Sequence, residues 1–334
     1  MSEGAAAFAD LTEDDLRGVF EGADYVADEE LVTAVYLSLK LGKPLLVEGE
    51  PGSGKTELGK VLASGFETDL VRLQCYEGLA AEHALYEWNY TKQMLAVQSG
   101  EGNVADSGGT GADSDGDAES GTDDGAGAGA GGESVFSDEY IFERPLLQAL
   151  THEGPTPPVL LIDEVDRADE EFEAFLLEVL SDFQASIPEY GTVAADQRPV
   201  VVITSNRTRG LSDALKRRCL YCYVEPPEFE AELEIVRRKV PELDAAVAAE
   251  VCGIVQELRE EAFLKQPGVA ETLDWARAVA TLRTNGDDSH LTADEIKRSV
   301  GTLVKEAEDV QRIDAELLER LETAAQEARG RAES

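Results

Sequence analysis

Several stretches of the chain are apolar at consecutive positions rather than at alternate ones. They are Lys43-Pro-Leu-Leu-Val-Glu48, Val159-Leu-Leu-Ile162 and Val200-Val-Val-Ile203, and each reads as a strand buried on both faces. Leu70-Val-Arg-Leu-Gln-Cys75 and Cys219-Leu-Tyr-Cys-Tyr-Val224 are further strand candidates. Between them the apolar spacing is helical. Residues 11–41 read as helices with Leu31, Val32, Val35, Leu37 and Leu39 on one face, and 57–63 reads as a helix start. Arg144–Leu150 is a predicted helix that ends at the prolines 155–158. Residues 170–183 place Phe172, Phe175, Leu176, Val179, Leu180 and Phe183 at helical intervals, and Ile187–Val193 reads as a small hairpin or loop. Strands alternating with helices predict an α/β fold whose parallel sheet is covered on both faces. After Pro226-Pro227 only helical patterns remain, so the expected division is an α/β domain over 1–227 and a small all-helical domain over 228–334.

One interval fits neither period. Ser99–Glu133 consists of Gly, Ala, Ser, Thr, Asn, Asp, Glu and a single Val, without aromatic or basic residues. Such a composition buries too little apolar surface to offset its ordering entropy. We expect a disordered acidic insertion within the first domain, because predicted strands lie on both sides of it.

The candidate chemistry starts at the end of the first strand, with Gly49-Glu50-Pro51-Gly52-Ser53-Gly54-Lys55-Thr56. A glycine-rich turn between strand and helix aims several backbone N–H groups at one point. Lys55 then reaches the β and γ phosphates of a nucleotide, and the Thr56 hydroxyl is a Mg²⁺ ligand. The flanking strand and helix make this much more specific than the bare pattern, so the chain is expected to bind a nucleoside triphosphate. About a hundred residues later the apolar strand 159–162 runs into Asp163-Glu164. Asp163 can hold Mg²⁺ opposite Thr56, and Glu164 can polarise the attacking water. Asn206, at the tip of the strand that starts at Val200, can contact the γ-phosphate or orient that water. Asp213-Ala-Leu-Lys-Arg-Arg218 supplies fixed cations near a helix end, and Arg277 lies in Leu273-Asp-Trp-Ala-Arg277, read as the start of a helix. Taken singly, each of these has an ordinary reading: a helix cap, a turn amide, a helix-dipole cation, a surface arginine. Their order along the chain favours one site.

That order and spacing resemble the AAA+ ATPases over residues 22–290. The similarity is closest to the MoxR group, and within it to the type linked to carbon monoxide dehydrogenase maturation (the CoxD type). The narrower match rests on Cys75-Tyr-Glu-Gly-Leu79, Tyr86-Glu-Trp-Asn-Tyr90, Arg144-Pro-Leu-Leu147, the Leu161–Phe175 run, Ile187-Pro-Glu and Thr204-Ser-Asn-Arg-Thr-Arg209. The resemblance implies an ATP-hydrolysing chaperone with Walker A at 49–56, Walker B ending at Asp163-Glu164, and Asn206 as the sensor-1 residue. It implies Arg218 as the arginine finger supplied to a neighbouring subunit, with Arg217 as competitor, and Arg277 as the sensor-2 arginine. It also implies ATP and Mg²⁺ as cofactors, a hexameric ring, a helical lid after the sheet, and family inserts at roughly 77–140 and 187–197. The implied partners are a von Willebrand A domain protein and a molybdenum-containing metalloenzyme client.

Charge narrows the setting. Of 334 residues, 69 are acidic and 29 are Lys or Arg, a formal net charge of −40. Such a surface repels itself at ordinary ionic strength but is tolerable in molar salt, where the Debye length is about 3 Å. The expectation is the cytoplasm of an extreme halophile. Tight nucleic-acid binding is disfavoured, because it needs a Lys/Arg face. Residues 1–10 lack the basic flank and apolar run of a signal peptide, and no apolar stretch is long enough to cross a membrane, so a cytoplasmic protein is expected. Cys219 and Cys222 have C-x-x-C spacing without a second pair, which favours buried thiols over a zinc site. Two other functions share the core motifs: a nucleic-acid-linked motor, and a nucleotide-gated scaffold with little turnover.

Overall fold

The computed structural model describes residues 7–99, 137–283 and 289–333. The acidic stretch beyond Ser99 lies outside them. The described chain enters through two capped helices. The Thr12 hydroxyl accepts from Asp15 N at the start of α1 (Glu13–Gly22), and the Asp15 carboxylate answers to Thr12 N. Asp28 caps α2 (Glu29–Leu41), which ends at Gly42 with φ 60°. Then come β1 (Leu45–Gly49), α3 (Lys55–Gly65), β2 (Leu70–Gln74), α4 (Ala81–Leu85), β3 (Tyr86–Trp88) and α5 (Tyr90–Ser99). Beyond the acidic stretch follow β4 (Ile141–Glu143), α6 (Pro145–Leu150), β5 (Val159–Asp163), α7 (Glu170–Asp182), β6 (Gln184–Ile187) and β7 (Gly191–Ala194). The sheet finishes with β8 (Val200–Ser205), α8 (Asp213–Arg218) and β9 (Leu220–Val224).

Five of these strands form one sheet in the order β2–β5–β8–β1–β9, every neighbouring pair parallel. β1, β5 and β8 are buried at every position, as their unbroken apolar runs require. One face packs Leu16, Val35 and Leu58 against Leu45, Val47 and Leu161. The other packs Leu147, Phe172 and Leu176 against Leu46, Ile162 and Ile203. After Val224 the described residues contain helices and no strand: α9 (Phe229–Lys239), α10 (Ala245–Glu260), α11 (Val269–Leu282), α12 (Ala293–Ser299), α13 (Ala307–Gln311) and α14 (Ala315–Ala332). They enclose a separate core around the fully buried Trp275, whose indole N–H donates to Ser299 Oγ at 2.8 Å. The architecture is a parallel α/β sheet followed by a helical region.

Four details differ from the sequence reading. The helix expected from Arg144 starts at Pro145, where a missing N–H costs nothing. The hairpin read over 187–193 extends to 184–194 as β6 and β7, and Cys219 precedes β9 instead of lying in it. A short antiparallel ribbon of β3 and β4, with Glu87 opposite Phe142, had no sequence signal.

The helical region is tightly closed at Gly253 on α10. A Cβ there would lie 2.5 Å from Ala328 Cβ and 2.8 Å from Ala324 O on α14. Alanine is the better helix former by about 1 kcal/mol, but a clash with backbone outweighs that gain. Gly253→Ala is therefore expected to lower stability by roughly 1–3 kcal/mol, read as a fall in the denaturant midpoint.

Candidate nucleotide site

The sheet order decides where chemistry can collect. The carboxyl ends of β1, β8 and β5 stand side by side, with Glu48 in register with Ser205 and Ile162 with Ile203. Ligands of open parallel sheets bind outside such ends. The loop leaving β1 turns there through Gly52 (φ 84°) and Gly54 (φ 87°), a left-handed backbone that a Cβ would strain. The backbone N–H groups of Gly52, Gly54, Lys55 and Thr56 donate to no main-chain group among the described residues. They line a cradle at the positive end of α3 that suits phosphate oxygens.

Lys55 is buried, and its ammonium donates to Glu50 O (2.6 Å), Gly49 O (3.0 Å) and Ser53 Oγ (3.2 Å). Burial lowers its pKa, while Asp166, Asp163, Glu164 and Glu50 oppose that shift. The Thr56 hydroxyl donates to Asp163 Oδ1 at 2.9 Å, which brings the two expected Mg²⁺ ligands together. Asp163 is 2% exposed and also accepts from Thr204 Oγ1 (2.6 Å) and from the Arg72 guanidinium (2.5 Å). Burying a carboxylate is costly unless hydrogen-bond donors replace the lost water, and these three donors do so.

Glu164 sits in the left-handed region (φ 54°, ψ 50°), an uncommon backbone for a glutamate, with its N–H donating to Thr204 Oγ1 at 2.9 Å. Its carboxylate accepts from Asn206 Nδ2 (3.3 Å), Gln74 Nε2 (3.1 Å) and Arg167 Nη1 (2.9 Å). Asn206 and Glu164, read separately from sequence, are thus direct partners. Asp166 ties the two loops further, accepting from Asn206 N (3.1 Å), Thr208 N (2.8 Å) and Thr208 Oγ1 (2.6 Å). Burial pushes its pKa up, but the bonds from Thr208 and Asn206 win and hold it below the usual value. Below the strand ends, Glu48 is buried and accepts from Tyr221 OH at 3.0 Å.

The arginines stand apart from this cluster. Arg217 and Arg218 are exposed in the last turn of α8, with no hydrogen bond or ion pair among the described residues. The helix is nonetheless tethered to the site: Ser212 N, at its cap, donates to Glu173 Oε2 (3.0 Å), and Arg209 pairs with the same buried carboxylate. Arg277 lies in the third turn of α11, not at its start, and pairs with Asp274 at 3.4 Å. The part of α11 that meets the phosphate loop is its N-terminus: a Cβ on Gly268 would lie 2.8 Å from Pro51 O.

Arg72, Gln74, Thr204, Asp166 and Glu48 are site residues that the sequence reading passed over. Cys75, Cys222 and Cys252 are buried and Cys219 is half-buried, with Cys75 and Cys219 pushed up to about 12 and Cys222 to about 11, mainly by burial. Among the described residues no helix is long and apolar enough to cross a membrane.

No protein-family model matches the chain, and no curated protein matches it in sequence. Among solved structures it is similar to the Thermotoga maritima RuvB Holliday junction branch migration motor, at 17% identity and a TM-score of 0.40, over 93% of this chain and 68% of that one. An arginine-to-alanine variant of the same RuvB is similar at 17% identity and a TM-score of 0.44, over 88% and 70%. An alanine-to-serine variant gives 17% identity and a TM-score of 0.43 over 88% of this chain, which spans 66% of that structure's length. Likeness at this level carries no argument about activity, which rests on the geometry above.

Proposed function

We propose that the protein is a Mg²⁺-dependent ATPase that works as a MoxR-type remodelling chaperone, with residues 1–227 as its nucleotide-binding unit and 228–334 as its lid. The observation that carries the ATPase reading is the Thr56–Asp163 hydrogen bond at 2.9 Å, with Glu164 next in the chain and bonded to Asn206. A hydroxyl and a carboxylate brought together beside unpaired loop N–H groups form a hard-oxygen donor set that fits Mg²⁺ and a polyphosphate. Bound there, Mg²⁺ would neutralise charge on the phosphate oxygens. The chain's own residues do the rest. Loop N–H groups and Lys55 bind the phosphates, Arg72 holds Asp163 in place, and Glu164 accepts a proton from water while Asn206 and Gln74 fix its orientation. Lys55→Ala is expected to abolish nucleotide binding by calorimetry while leaving the circular dichroism spectrum unchanged. Retained binding would refute the site.

The finer reading draws on the Cys75–Leu79, Tyr86–Tyr90 and Leu161–Phe175 segments and on the charge. It is a hexameric ring in a salt-rich cytoplasm, acting with a von Willebrand A domain partner on a molybdenum-containing enzyme. The net charge of −40 supports a protein client over a nucleic-acid one. An ATP-dependent gain of dehydrogenase activity by the client apoenzyme would support it. ATPase activity stimulated by DNA, but not by such a client, would replace it with the motor reading.

A further inference from the structure

The β3–β4 ribbon and the tip of the β6–β7 hairpin border a cavity of about 730 Å³ whose lining shares no residue with the nucleotide cluster. Four aromatic side chains line it, Tyr76, Tyr86, Trp88 and Tyr90, in a chain that is only 6% aromatic. Tyr86 and Trp88 meet edge to face with ring centroids 5.8 Å apart. Glu82 and Glu189 share the lining, and their carboxylates make no hydrogen bond or ion pair among the described residues. Their charge falls on the aromatic wall: the Tyr86 phenol is raised by burial first, then by Glu82 and Glu189. Glu87 and Arg144 line the cavity as well but are paired with each other, so the unbalanced charge comes from the other two. Tyr90 and Phe142 are 69% and 53% exposed, and Phe142 faces Glu87 across the ribbon.

Aromatic faces are electron-rich and attract a cation, most strongly the planar and weakly hydrated guanidinium. Two unpaired carboxylates add charge and hydrogen-bond acceptors for its N–H groups. A phosphate or an acidic peptide would meet repulsion from the same carboxylates. We propose that this cavity binds an arginine side chain presented by a polypeptide partner. Charge complementarity selects the occupant, and the exposed apolar rim gives the partner's backbone a surface to lie on.

The test is fluorescence anisotropy of a labelled peptide of alternating glycine and arginine, titrated with the full chain in about 2 M KCl. At such salt the Debye length is a few ångströms, so long-range attraction to the acidic surface is suppressed and contact recognition remains. The Glu82→Gln/Glu189→Gln double variant changes the net charge only from −40 to −38, by adding two to −40. The proposal expects saturable binding that the double variant and Trp88→Ala each weaken about tenfold or more, and that a citrulline-for-arginine peptide lacks. The near-ultraviolet signal of the buried Trp275 shows whether the variants are folded. Equal binding by wild type and double variant, or by the citrulline peptide, would overturn it. So would an oligothymidylate that binds and is lost in Trp88→Ala, which would assign the aromatic wall to nucleic acid. Neither variant touches the nucleotide site, and the readout needs no ATP, so the outcome is independent of the ATPase reading.

Discussion

Glu164→Gln lowers ATP turnover by about 10²–10⁴-fold and leaves nucleotide binding intact, the range expected when a positioned general base is lost. Glutamine has the size of glutamate: its oxygen can accept from Gln74 and Arg167, and its N–H can donate to Asn206 Oδ1 once the Asn206 amide turns over, so the loop geometry survives. What disappears is the negative oxygen that takes the proton from water. The binding phosphates meet Lys55 and the loop N–H groups, which the substitution does not touch. Single-turnover hydrolysis and equilibrium binding on one preparation separate the two effects. Turnover within threefold of wild type would remove Glu164 from the mechanism.

Arg218→Ala is expected to cost about 10³–10⁵-fold in turnover when the protein is assembled, the magnitude associated with an arginine that stabilises charge on a transferred phosphoryl group. Arg218 is exposed, forms no ion pair among the described residues and ends a helix tethered through Ser212 to the buried Glu173. A cation held on a fixed helix but left without a partner is suited to reach out of its own subunit. Arg217→Ala beside it serves as control and should cost much less. If the Arg217 variant shows the large loss and the Arg218 variant the small one, the two assignments exchange.

The parts of the site legible in the sequence were those whose signal is local. A short unbroken apolar run bounded by turn residues reads as a strand buried on both faces, so β1, β5 and β8 were readable, and with them the glycine-rich loop, Asp163, Glu164 and Asn206 at their ends. Arg72 and Gln74 were not, because a polar residue at alternate positions of β2 reads as a solvated face. Only the parallel register, which sets Gln74 opposite Asp163, turns that face toward the site. Asp166 carried no signal in a chain with 69 acidic residues, since its role comes from accepting bonds from a loop forty residues away. The β3–β4 ribbon was invisible for another reason. Each strand has three residues and its partner lies more than fifty residues along the chain, so no periodicity can develop. Arg277 shows the limit of a motif read without phase: its helix starts eight residues earlier, at Val269, and presents that start, not the arginine, to the phosphate loop.

If each site is completed by two subunits, mixing two inactive proteins should restore activity. Glu164→Gln and Arg218→Ala are combined at equal concentration in multimolar KCl, and ATPase activity is followed as subunits exchange. A Glu164→Gln subunit still offers its Arg218 to the intact Glu164 site of its neighbour. Random mixing across a head-to-tail interface should restore about a quarter of wild-type activity. A mixture no more active than its two components would contradict the shared site.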